Sequence, residues 1–312
     1  MMRADLHVHS NASDGTDPPA EVMRRAALAG LDVVALTDHD TVAGHAEARQ
    51  ALRCLGDPVT LLPGMELSCK LDGPDRGLPG GPKGSSPRSQ HRGVPGGPKG
   101  SSPRGQQSVH MLAYLFDPDH PGLAAELARI RDDRVLRARA MVRRLAELGV
   151  PITWEQVAAI AGGAVVGRPH VARAMAASGT IASPGEAFTG DWIGDGGRAY
   201  VGRYALDPVR AIGLVRDAGG VTVLAHPRSG PPVSDEQIGR LAAAGLAGLE
   251  VFHPDQIDTE RGGLLALAHD LGLVATGGSD DHGSLTGHRI GCETTAGGAY
   301  RALLSRVPGY RA

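Results

Sequence analysis

Short apolar runs of strand length recur along this chain, and most of them stop at a histidine, an aspartate or a glutamate. Residues 31–37 lead into Asp38-His39-Asp40, 59–62 into Gly64-Met65-Glu66, 221–225 into His226-Pro227, 247–252 into His253-Pro254, and 273–277 into Gly278-Ser279-Asp280-Asp281-His282. Helix-period segments fall between them, at 17–30, 41–55, 207–218, 234–244 and 258–271, the first with Asp17 as its expected cap and Gly30 as its stop. This alternation predicts a parallel βα barrel or a doubly wound sheet. In a parallel barrel the carboxyl ends of the strands form the rim on which ligand and metal sites are built.

The opening stretch, Asp5-Leu6-His7-Val8-His9, alternates with a period of two, so both imidazoles share one face of a strand. Asp14 follows in a polar loop closed by Gly15. Collected at strand ends, the set becomes His7, His9, Asp14, Asp38, His39, Glu66, His110, His226, His253, Asp280 and His282. A single such residue is an ordinary hydrogen-bonded side chain; a ring of them has no packing purpose and points to a metal site. Imidazole and carboxylate together suit zinc, manganese or iron, and the lack of cysteine among them argues against a structural thiolate zinc.

Charge and composition narrow the partners. A net charge of −2 and 3% aromatic residues give neither a basic field for duplex DNA or a membrane nor a stacking platform for single strands. Three scattered cysteines, Cys54, Cys69 and Cys292, suit a reducing compartment without disulfides. The first strand begins at once and no apolar run would span a bilayer, so a soluble, cytoplasmic protein is expected. One segment breaks the pattern: residues 76–91 are repeated almost unchanged at 92–107, with six Lys or Arg residues and no acid. Rich in Gly, Pro and Ser, the 71–107 insert cannot bury a core and is expected to be disordered. A tolerated surface insertion is the plain reading, an electrostatic tether for RNA or an acidic partner the functional one.

The sheet resumes at 109–115, with His110, Leu112 and Tyr114 on one face. No strong strand follows until about residue 199. Instead come a long Arg-rich helix at 123–149 and shorter helices at 153–161, with Thr153 as cap, and 169–177. The expected organisation is a barrel from 1–70, 108–121 and 201–296, the insert 71–107, a helical subdomain 122–200, and a closing helix and tail at 297–312. Arg129, Arg131, Arg134, Arg137, Arg139, Arg143 and Arg144 are expected on a solvated helix face with i,i+4 pairs, or else along an RNA path.

The motifs His7-x-His9, Thr37-Asp38-His39-Asp40, Pro63-Gly64-Met65-Glu66, Ala225-His226-Pro227 and Ser279-Asp280-Asp281-His282, in this order, resemble the PHP (polymerase and histidinol phosphatase) family from residue 2 to about residue 295, outside the insert. Gly167-Arg168-Pro169-His170 in the helical segment is similar to the branch of 3′,5′-nucleoside bisphosphate phosphatases and a related 5′-to-3′ exoribonuclease. The resemblance implies a distorted (β/α)7 barrel with three divalent metals, manganese first, with iron, zinc or magnesium as alternatives. It gives one metal to His7, His9, Glu66 and Asp280, a second to Glu66, His110 and His226, and a third to Asp14, His39 and His282. Glu66, Asp280 and His226 stand as catalytic, with a metal-activated hydroxide as the attacking group. Asp38 is expected behind the ligands, orienting an imidazole. Arg168 and His170 are expected to bind a non-scissile phosphate at a helix N-terminus, the plain alternative for Arg168 being a surface pair with an acidic neighbour, and His253 to assist a ligand, to contact substrate or simply to cap its strand. Arg198, Arg203 and Tyr204 fall where the helical segment rejoins the barrel and could line the same pocket. The expected activity is 3′-dephosphorylation of a nucleoside 3′,5′-bisphosphate. Trimming of short 5′-phosphorylated RNA and a non-catalytic, metal-bound regulatory module are the alternatives.

Overall fold

A computed structural model of the chain describes residues 2–72 and 106–310. Eight strands form one sheet in the order β7-β6-β5-β4-β3-β2-β1-β8. They are β1 (Arg3–Val8), β2 (Val33–Leu36), β3 (Thr60–Asp72), β4 (Gln106–Tyr114), β5 (Val221–Leu224), β6 (Gly248–Phe252), β7 (Val274–Gly277) and β8 (Thr295–Ala296). The nine helices of the described residues are α1 (Pro19–Leu28), α2 (His45–Leu55), α3 (Pro121–Glu147), α4 (Trp154–Ala161), α5 (Arg168–Ala177), α6 (Pro208–Asp217), α7 (Asp235–Ala243), α8 (Asp258–Asp270) and α9 (Gly297–Leu304). None of them is long and apolar enough to cross a membrane. The insert expected at 71–107 lies outside the described residues except at its two ends, 71–72 and 106–107, which are strand rather than disordered chain because they pair with each other as the ends of β3 and β4.

The barrel is a distorted βα barrel, and its distortion has a simple cause. Parallel neighbours require a crossover, whereas β3 and β4 pair as a hairpin, so β4 runs against both β3 and β5. The strictly parallel barrel suggested by the alternation is therefore broken at β4, as it is at the two-residue β8. β7 and β1 close the sheet only loosely: β8 pairs antiparallel with β1 at one end. At the other end the backbone N–H of Asp280 donates to the His7 carbonyl at 2.8 Å and that of His9 to the Asp281 carbonyl at 2.9 Å. The seam of the barrel thus runs through the motifs that were read as ligands.

Leu6, Leu62, Leu112, Tyr114, Val223 and Val274 fill the interior. Fully burying each such side chain contributes about 1.5–3 kcal/mol. The Tyr114 hydroxyl, buried among them, donates to the Leu6 carbonyl at 2.7 Å. A second, separate core lies in the helical segment, where Ala138, Met141, Leu145, Val157, Val171, Met175 and Ile193 pack together.

α3 joins the two. Leu123, Leu127 and Ile130 pack in the barrel's outer layer, and Met141 and Leu145 in the helical core. On the same stripe, between the two cores, stand Arg134 and Arg137. They are not part of a solvated face: Arg134 donates to buried Asp40 at 2.6 Å and to Ser68 Oγ at 2.6 Å, and Arg137 to the Val201 carbonyl at 2.8 Å. Arg129 and Arg139 lie over the rings of Tyr204 and Trp154, and Arg144 donates to the Tyr200 carbonyl. In place of the expected i,i+4 pairing, Arg129, Arg137 and Arg144 contact the 199–204 return segment, Arg134 the barrel and Arg139 α4. Asp17, expected to cap α1, is likewise used elsewhere. Pro18 holds the cap position without a side-chain bond, and Asp17 pairs with Arg25 at 2.9 Å.

Candidate metal centre

At the seam, four side-chain donor atoms point at one another. His7 Nε2 lies 3.3 Å from Glu66 Oε2, 3.3 Å from Asp280 Oδ1 and 3.1 Å from His9 Nε2. His9 Nε2 is 3.1 Å from Glu66 Oε2 and 3.3 Å from Asp280 Oδ1. His7 Nδ1 faces the Glu250 carboxylate at 3.0 Å and must carry the ring's proton to donate there. In the neutral ring its Nε2 is then a lone pair aimed at a second imidazole and two carboxylates; burial opposes charge there, but Glu250, Asp280 and Glu66 outweigh it and hold the imidazole well above its ordinary value, so the position draws a proton or another cation. Such a meeting of lone pairs calls for a cation. Ligand atoms about 2.1 Å from one metal stand about 3.0–3.4 Å apart in tetrahedral or octahedral arrangement, and the observed spacing falls there.

Two further groups flank the first. Glu66 presents its other oxygen, Oε1, to His110 Nδ1 at 2.8 Å and to His226 Nε2 at 3.2 Å. Asp14 faces His282 Nε2 at 3.3 Å, His39 Nε2 at 3.7 Å and, more distantly, His9 Nδ1 at 3.9 Å. His39 also turns Nδ1 toward Glu66 Oε2 at 3.1 Å, so its ring stands between two groups and is available to either. The Glu66 carboxylate is the common member, one oxygen on each side. The hairpin explains its position: Glu66 pairs with Leu112 and Ser68 with His110, which puts Glu66 and His110 on one face, two residues apart diagonally. Contrary to the strand-end reading, both lie mid-strand, because β3 and β4 run on past the rim as a two-stranded ribbon.

Two of the converging residues hold unfavourable backbone: His226 at φ 27 and Asp280 at φ 48. Such conformations cost about 1–3 kcal/mol each in a non-glycine residue and persist where surroundings impose them. Beside His110 and His226 opens a cleft of about 240 Å³, also lined by Ser108, Arg168, Asp195, Pro227 and Ser229. Arg168, at the start of α5, donates to Asp195 Oδ1 at 2.9 Å.

The PHP domain family model matches residues 5–129. A 5′-3′ exoribonuclease of Haemophilus influenzae is 30% identical over 282 residues, covering 89% of each chain. A 3′,5′-nucleoside bisphosphate phosphatase of Chromobacterium violaceum is 31% identical over 295 residues, 93% of this chain and 90% of that one. Among solved structures, a protein of Bifidobacterium adolescentis described as a metal-dependent phosphoesterase superposes with a TM-score of 0.78 at 32% identity, covering 97% of this chain and 96% of its own. The chain belongs to the PHP family. It is accordingly a metal-dependent phosphoesterase, a hydrolase, and its His, Asp and Glu groups are of the kind that bind metal.

Electrostatics in this PHP centre are set by crowding. Burial by itself would raise the carboxyl of Glu66, but His39, His110 and His7 outweigh it and hold that carboxyl well below its usual range. Asp14 behaves likewise: burial opposes, His39 and His282 prevail. Behind the cleft, burial and then the proximity of Arg168 and Arg203 push the Arg137 guanidinium down to about 9.

All nine residues expected as ligands come together, whereas Asp38, His170 and Tyr204 land elsewhere and His253 takes the strand-capping place, accepting the Asp255 N–H. Among the described residues Asp38 makes no hydrogen bond to an imidazole: its carboxylate accepts from the Ser10 N–H at 2.8 Å, Ser10 Oγ at 2.7 Å and Ser13 Oγ at 2.7 Å, shaping the loop that carries Asp14. His253 is 1% exposed and sits behind Asp280 rather than in the cleft. His170 is also buried, and its Nδ1 accepts from the Gly167 N–H at 3.0 Å, capping α5. Arg203 donates to Ser108 Oγ at the cleft wall, at 2.6 Å, while Tyr204 turns to Glu126. The residue the sequence reading passed over is Glu250, fully buried in β6. Its signal was a lone acid inside the apolar strand Gly248–Phe252, where a parallel strand is otherwise apolar.

Proposed function

We propose that this protein removes the 3′-phosphate of a nucleoside 3′,5′-bisphosphate. The observation that carries the reading is the cleft that has His110 and His226 on one wall and Arg168 on another, so a phosphoryl group and a second anion can be held at once. In this reading His7, His9, Glu66 and Asp280, then Glu66, His110 and His226, then Asp14, His39 and His282 hold divalent metals, manganese first. Metals bound there supply a water of lowered pKa and neutralise charge on the phosphoryl oxygens. The chain's own part is positional. Glu66 spans two groups and fixes their separation, Asp280 and His226 present their donors from strained backbone, and the buried walls keep the site's electrostatics strong. Arg168 exchanges Asp195 for the non-scissile phosphate, a charge-assisted contact. The barrel, 1–70 with 108–121 and 201–296, then carries the chemistry, and the 122–200 segment carries selectivity.

A specific feature favours the exoribonuclease activity of other relatives as a second reading. Beside Arg168, Arg137 and Arg203 donate to neutral acceptors, the Val201 and Cys69 carbonyls and Ser108, and Lys70 to the Arg203 carbonyl. A longer polyanion could use these cations. Assay of the manganese-loaded protein on adenosine 3′,5′-bisphosphate, a short 5′-phosphorylated RNA and histidinol phosphate separates the two. Release of phosphate from the first with little shortening of the RNA supports the phosphatase; efficient shortening of the RNA alone overturns it.

A further inference from the structure

β6 supplies no donor to any of the three groups, yet its central residue, Glu250, touches a member of two of them. Glu250 is fully buried and has no lysine or arginine partner among the described residues. Its contacts are His7 Nδ1, at 3.0 Å from Oε1, and the backbone N–H of His226, which donates to Oε2 at 2.7 Å. A carboxylate taken from water costs several kcal/mol unless its surroundings use the charge. Three residues along, His253 accepts the Asp255 N–H on Nδ1 at 3.1 Å, so its proton sits on Nε2 and points at Asp280 Oδ2, 3.3 Å away.

We infer that Glu250 is the positioning residue that makes this centre competent for metal, by fixing the tautomer of His7 and the strained backbone of His226 with the two oxygens of one carboxylate. The inference rests on the metal centre proposed above. With Glu250 ionised, His7 keeps its proton on Nδ1 and offers Nε2 as a lone pair; the same side chain holds His226 at φ 27, where its Nε2 reaches Glu66. Both effects need two acceptor oxygens. Glutamine has one. In Glu250→Gln the amide NH2 must face either His7 Nδ1, driving the ring proton to Nε2 and blocking it, or the His226 N–H, a donor against a donor. Either way a ligand is lost without any ligand being mutated. His253 plays the lesser part of holding Asp280 Oδ2, which leaves Oδ1 for His7 and His9.

The test uses the full chain freed of metal with a chelator. Long-range proton–nitrogen NMR of the imidazoles reads the His7 tautomer directly, and calorimetric titration with Mn²⁺ reads affinity. At a pH high enough to leave the ring neutral, against the carboxylates that raise it, the wild type is expected to show His7 protonated on Nδ1. Glu250→Gln is expected to shift that proton to Nε2 or leave it exchanging, and to weaken Mn²⁺ uptake about ten- to a hundredfold at the groups containing His7 and His226. The Asp14–His39–His282 group keeps its affinity. Glu250→Asp retains two acceptors and is expected to keep the Nδ1 tautomer, which also serves if the glutamine variant fails to fold. A wild-type His7 protonated on Nε2, or a folded Glu250→Gln protein with unchanged Mn²⁺ uptake, overturns the role of Glu250. Wild-type protein that takes up no Mn²⁺ overturns the metal centre itself.

Discussion

At the scale of single residues, Glu66 and Arg168 make opposite predictions. Glu66 offers an oxygen to each of two groups, so its loss removes a ligand from both. Glu66→Ala is expected to lower bound metal per chain and to reduce turnover more than about a hundredfold, beyond what loss of a residue that merely supports a ligand costs. Elemental analysis with an initial-rate assay checks it, and near-normal turnover in metal-replete protein would sink the assignment. In the proposed function Arg168 acts on selectivity. A hydrogen bond to a charged group is worth about 1.5–3 kcal/mol. Arg168→Ala should therefore raise KM for a 3′,5′-bisphosphate roughly ten- to a hundredfold and leave a simple monoester little changed; equal losses on both would show Arg168 serving only Asp195.

Among the elements, α3 and α5 carry the next two predictions. Arg134 on α3 balances Asp40, whose neighbour His39 faces Glu66. Arg134→Ala leaves that carboxylate buried and unpaired, at a cost of about 3–5 kcal/mol, readable as a lower urea midpoint. In α5, burial and then Arg173 hold His170 at about 4, below the 6.5 of an exposed imidazole. The unfolded chain therefore takes a proton between pH 6.5 and 4 that the folded chain refuses, and stability falls as pH drops through that window, by on the order of 3 kcal/mol. His170→Gln, which can still accept from the Gly167 N–H, should flatten that part of the pH–stability curve. An unchanged slope would mean that other groups set it. The stripe Leu123, Leu127, Ile130, Arg134, Arg137, Met141, Leu145 was present in the sequence at core spacing. Its two arginines read as solvent-facing because the helical period does not say that a second core, with backbone carbonyls to bind, lies against them.

For the whole molecule, the candidate centre joins residues from the first strand to the loop after β7 and lies across the open seam between β1 and β7. A metal that binds only the folded chain stabilises it by RT ln(1 + [L]/Kd), about 2.7 kcal/mol at a hundredfold excess over Kd. Thermal melts are expected to rise with added Mn²⁺ and fall with chelator, and a melting temperature indifferent to both would argue that no metal ties the seam.

The sequence by itself determined the alternating elements, because a strand's period and its end positions are local properties written in adjacent residues, and its resemblance to the PHP family singled out nine of the polar residues collected there as the side chains that converge. It also determined that Arg168 heads a helix. Only the tertiary structure decided the rest. The reversal of β4 depends on which strand it pairs with, and the mid-strand positions of Glu66 and His110 follow from that register. Asp38 grips serines rather than an imidazole, and His253 stands behind Asp280, because a side chain's partner is fixed by what folds against it. Glu250 shows the difference most sharply: in sequence it is one acid in an apolar strand, and only the meeting of β6 with β1 and β5 gives its two oxygens their work.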